Sequence, residues 1–67
     1  MMKNANFVEF KGYVGNTLAF LVNKIVAVAV FHKDLNKTSI LVEGINDEFV
    51  VSESYTDVMR KIAEKVR

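Results

Sequence analysis

The sequence predicts an α+β fold: a small antiparallel β-meander of four to five strands followed by one C-terminal amphipathic helix. Over residues 6–52, short runs rich in β-branched and aromatic side chains alternate with turn residues. Over residues 55–66 the apolar period lengthens from about 2 to about 3.6 residues, the change expected where strand gives way to helix. The chain has 67 residues with no Cys and no Pro, which bounds it to one domain with a thin core and no disulfide to reinforce it.

The first strand is expected over residues 6–11. Val8 and Phe10 form its apolar face, and Phe7, Glu9 and Lys11 alternate with them. Gly12 and the pair Gly15-Asn16 then supply a turn. A second strand spans 17–22, Asn23-Lys24 interrupts, and a third spans 25–31. Ile25, Val26, Val28 and Val30 are β-branched, which favours a strand over a helix there. The polar segment 32–37 carries the turn formers Asp34 and Asn36. A fourth strand over 38–43, a turn at Gly44-Ile45-Asn46-Asp47 and a fifth strand over 48–52 complete a hairpin-connected series.

The helix is expected over 55–66. Tyr55, Val58, Met59, Ile62, Ala63 and Val66 fall on one stripe; Tyr55, Met59 and Ile62 are read as core, and Val58, Met59 and Ile62 are expected to pack on the sheet. Ser54 opens a capping box, its hydroxyl placed to accept the backbone N–H of Asp57. Asp57 lies near the positive end of the helix dipole, and Arg60, Lys61, Lys65 and Arg67 lie toward the negative end. Asp57 and Lys61 have the spacing of an i,i+4 ion pair.

One helix cannot cover both faces of such a sheet. The second strand is apolar on both sides, with Leu18, Phe20 and Val22 against Ala19 and Leu21. In the third, Val26, Val28 and Val30 alternate with Ala27 and Ala29, whose small side chains would let the helix approach closely. Either the sheet curls into a half-barrel or closed barrel, or the second face meets another subunit. Strict alternation makes Leu18, Phe20, Val26, Val28 and Val30 the candidate protein interface. An apolar content of 51% in a chain without staples points the same way.

Function classes narrow by elimination. The net charge is +1, with nine basic and eight acidic residues, which is not the excess of a typical nucleic-acid binder. The longest apolar run, residues 25–31, is too short to span a bilayer as a helix. The start, Met1-Met2-Lys3-Asn4-Ala5-Asn6, lacks a signal-peptide core, so no membrane insertion and a cytoplasmic location are expected. His32 is the lone histidine and sits in a turn with Asp34, without a nucleophile beside it. Asp47, Glu48 and Glu53 match no cation-loop spacing, and Gly12, Gly15 and Gly44 match no phosphate loop. These residues predict no enzymatic activity, no cofactor and no metal.

Three stretches together resemble the FlbD-like small proteins of bacteria and their phages: Asn23-Lys24-Ile25-Val26-Ala27-Val28, then Thr38-Ser39-Ile40, then the run from Val50-Val51-Ser52-Glu53-Ser54 into Tyr55-Thr56-Asp57-Val58-Met59. The resemblance covers residues 16–66. It implies a setting in flagellar or swarming motility or in phage biology, and it carries no catalytic residues. Leu21 departs from the pattern, since relatives often have Asn or a similar polar residue there. The strand-then-helix order is also similar, more distantly, to half of a LytTR-type DNA-binding domain. The expected function is a non-enzymatic protein-interaction module, self-associating or docked on a larger protein assembly. The alternative is a small DNA- or RNA-binding protein whose contacts would be Arg60, Lys61, Lys65 and Arg67.

Overall fold

The computed structural model describes residues 6–66. The amino-terminal stretch 1–5, read above for a signal sequence, and Arg67, one of the candidate nucleic-acid contacts, lie outside the described residues.

Five strands and one helix follow in the order β1 (Phe7–Lys11), β2 (Thr17–Leu21), β3 (Ile25–Val30), β4 (Thr38–Val42), β5 (Phe49–Val51) and α1 (Tyr55–Lys65). All strand pairings are antiparallel, and the fold is α+β as expected. The strands form two sheets, β1–β2 and β3–β4–β5, and do not close into a barrel. One bridge, Gly12 to Val51, joins them at a corner. There the Ser52 N–H donates to the Lys11 carbonyl at 2.8 Å and the Tyr13 N–H to the Val50 carbonyl at 3.1 Å. At the other side the chain turns from β2 into β3 through a single 3-10 turn, Val22–Lys24.

The turns work as their residues require. Gly15 and Gly44 adopt φ of 92° and 85°, the left-handed region that costs an L side chain a Cβ clash. The 31–37 turn is held by Asp34, whose carboxylate accepts the Asn36 N–H at 3.0 Å and a bond from Lys37 Nζ at 3.1 Å.

The core lies between the two sheets and under the helix. Val8 and Phe10 of β1, Phe20 of β2, Ile40 and Val42 of β4, Val51 of β5 and Val58 of α1 are buried. Phe20 packs edge-on against Phe49 with ring centroids 5.4 Å apart, which links the two sheets through aromatic contact. The buried Thr38 hydroxyl donates to the Glu53 carbonyl at 2.7 Å, so this buried side chain is satisfied.

Ser54 caps α1: its Oγ accepts the Asp57 N–H at 3.2 Å. The ion pair expected between Asp57 and Lys61 does not form. Asp57 instead binds Arg60 at 2.8 Å, and Lys61 reaches out of the helix to Glu53 at 3.0 Å. Lys61 lies on the side of the helix nearest β1, where Glu53 offers a less exposed partner than Asp57.

Candidate functional site

The apolar stripe of α1 does not all enter the core. Val58 is fully buried and Ile62 packs against the core, but Tyr55, Met59 and Val66 are exposed. The reading of Tyr55 and Met59 as core is therefore corrected. Successive helix residues turn by about 100°, so Val58 lies about 60° round from Tyr55 and about 100° from Met59. The helix is rolled so that one edge of its stripe enters the core while the other faces β3 and solvent. Lys61, on the far side of Val58, fixes that roll: its ammonium binds Glu53 and sits 5.4 Å from the centroid of the Phe10 ring.

The third strand departs from alternation. Its register against β4 shifts between Ile25 and Ala27, so Val26 is the extra residue of a β-bulge. The bulge turns Val26 outward, leaving it 64% exposed, while Ile25 and Val28 pack against the core. Val28 pairs with the buried Ile40 and Val30 with the buried Thr38. Ile25 and Val28, on either side of the bulge, are thus the β3 residues turned inward, and Val30 at the end of the strand is exposed. Ala27 and Ala29 are exposed, and Ala27 lines the open groove beside α1 rather than packing under the helix as expected.

The five residues expected at an interface are divided by this geometry. Phe20 is buried and Leu18 half-buried against the core, so they are not available at the surface. Val28 is half-buried, and Val26 and Val30 are exposed. Between β3 and α1 runs a shallow groove of about 320 Å³, with Val26, Ala27, Tyr55, Met59, Ile62 and Val66 among its walls. It has no charged residue in its lining. Sequence reasoning missed Tyr55, Met59 and Val66 as surface residues, because a stripe shows that a helix has an apolar side without showing how far it is rolled.

The cations of α1 are largely committed. Arg60 pairs with Asp57 and Lys61 with Glu53. Lys65 makes no ion pair among the described residues, and its carbonyl accepts a bond from Asn6 Nδ2. His32 is exposed and stacked edge-on against Phe31, with centroids 5.1 Å apart. Asp34 is spent within its turn, and the Asn36 N–H, followed by Lys37, holds its carboxyl below the usual value of 3.8. Glu48, just before β5, accepts the hydroxyl of Ser39 on β4. Among the described residues no group of three His, Asp or Glu side chains is placed to hold a metal ion. No helix there is long and apolar enough to cross a membrane.

The fold and the groove define a small α+β domain with an uncharged cleft along one sheet edge. Comparison with known proteins finds no matching family model, curated protein or solved structure.

Proposed function

We propose that this chain is a non-enzymatic protein-interaction module that works by self-association or within a larger protein assembly. The observation that carries the reading is the pairing of two incomplete surfaces along one groove. The exposed half of the α1 stripe lies beside β3, a six-residue strand without a charged residue that, among the described residues, pairs on one side only. Exposed apolar surface gathered in one place is the usual mark of a protein contact, and natural edge strands are normally protected by charge, Pro or a cover. The FlbD-like resemblance supplies a setting, motility or phage biology, in which such a module would act. Light scattering coupled to size exclusion over a dilution series tests the reading. A mass that rises above the 7.6 kDa of one chain as concentration increases supports it.

The nucleic-acid alternative, a LytTR-like half domain using Arg60, Lys61, Lys65 and Arg67, has less support. Two of those cations are already neutralised by carboxylates at 2.8 and 3.0 Å, and phosphate binding would have to compete with those pairs.

A further inference from the structure

We infer that the occupant of this edge is a second copy of the chain, its β3 paired antiparallel to the first about a twofold axis at Ala29. The inference rests on the self-association reading and specifies its geometry.

The backbone of β3 decides which groups are free. The Phe31 N–H donates to the Lys37 carbonyl at 3.0 Å, so residue 31 directs its backbone toward β4. Alternation along an antiparallel ladder gives Ala29 and Ala27 the same direction, and turns the N–H and C=O of Val28 and Val30 outward. On the other side of the bulge the parity changes: the Lys24 carbonyl, at an even position, accepts the Glu43 N–H at 2.8 Å. The regular free edge therefore runs over residues 27–31, and Ala29 is its centre.

That edge is complementary to itself. With Ala29 on the axis, Val28 of each copy faces the partner's Val30, and the two pairs exchange four backbone hydrogen bonds through groups that have no partner among the described residues. Ala27 faces the partner's Phe31, so every cross-strand pair is apolar. The alanines at the axis form the close, non-hydrogen-bonded pair, where small side chains fit best. A register centred on Val28 would instead draw the bulged Val26 into the ladder, where regular pairing is lost. The arrangement is isologous and closed, as a twofold contact requires. It lays the partner strand beside the groove wall of Tyr55 and Met59 and joins two three-stranded sheets into one. An alternative, β3 against the partner's β2 edge, would be head-to-tail and would place no residue opposite itself.

The chain has no cysteine, so a single introduced thiol reports on its own neighbourhood. In the twofold register the Ala29 Cα atoms are about 4.5 Å apart, within the range of about 4.4–6.8 Å that a disulfide spans. The two Ala27 positions are separated by several further residues of strand and lie beyond that reach. Air oxidation of Ala29→Cys should give a covalent dimer at least ten times faster than Ala27→Cys, reversed by reductant. Val30→Pro, which removes only an outward N–H and no β3–β4 bond, should weaken self-association at least tenfold with an unchanged circular dichroism spectrum. Equal cross-linking by the two thiols, or a dimer indifferent to Val30→Pro, in a protein whose mass is that of a dimer would overturn the strand pairing and leave self-association standing. A mass of one chain at every concentration would overturn both.

Discussion

Lys61 Nζ lies 3.0 Å from Oε1 and 3.2 Å from Oε2 of Glu53, and the same Glu53 accepts the Lys11 backbone N–H at 2.9 Å. One carboxylate thereby ties the helix to the end of β1 at the corner where the two sheets meet. Because Lys61 and Met59 stand on different sides of Val58, the contact that fixes the roll of the helix also holds the Tyr55–Met59 side away from the core. The ion pair and the exposed groove are two consequences of one helix orientation.

Removing Glu53 should be felt more than removing Lys61. Glu53→Ala leaves the Lys11 N–H and the Lys61 ammonium without their partner and should cost about 1–2 kcal/mol in urea denaturation. Lys61→Ala should cost below about 1 kcal/mol, since its side chain is partly exposed and solvent screens the pair.

The two sides of the α1 stripe should separate by measurement. Val58→Ala removes two methyl groups from a fully buried site, at about 0.8 kcal/mol each plus a cavity cost, for a total of about 2 kcal/mol. Met59→Ala should cost less than half of that in monomer stability, and should instead weaken self-association. Ser54→Ala should cost about 1 kcal/mol through loss of the cap. Equal destabilisation by Val58→Ala and Met59→Ala would contradict the helix roll.

Much of this was legible in the sequence, and the divergences have physical causes. Strand and helix limits follow from local signals such as Ser54, Gly15 and Gly44, so they agree with the expected limits to within a residue or two. The facing of β3 does not follow from local signals. Alternation places Val26, Val28 and Val30 together, but the bulge at Val26 breaks the alternation, and a bulge leaves no trace in an uninterrupted apolar run. The fate of Leu18 and Phe20 depended on the bend at Val22–Lys24, which folds β2 inward over Phe49. The Lys61–Glu53 pair depended on tertiary approach, whereas spacing alone suggested Asp57.

Acid should loosen the 31–37 turn. The Asp34 carboxyl is held below its usual 3.8 by the Asn36 N–H and Lys37. A depressed folded value means that the contribution is complete above 3.8, the unfolded value, and is lost as pH falls through the lower folded value. The wild type should melt above Asp34→Asn at neutral pH, and the gap should close below about pH 3.8. A gap independent of pH would show that the carboxylate charge does not hold the turn.

Nucleic acid should bind weakly or not at all. Fluorescence polarisation with a short duplex at low salt is expected to show no saturable change at micromolar protein. Binding that falls steeply with added salt, and that Arg60→Ala and Lys65→Ala abolish, would favour the basic helix as the working surface.

The most direct test is the mass of the chain in solution as a function of concentration, by light scattering, for the wild type beside Met59→Lys and Val30→Lys. The wild type is expected to approach twice 7.6 kDa on concentration and to dissociate on dilution. Both variants, with helix content unchanged by circular dichroism, are expected to stay at the mass of one chain. A wild type that remains monomeric throughout, or variants that associate as the wild type does, would contradict an interaction module built on the β3–α1 groove.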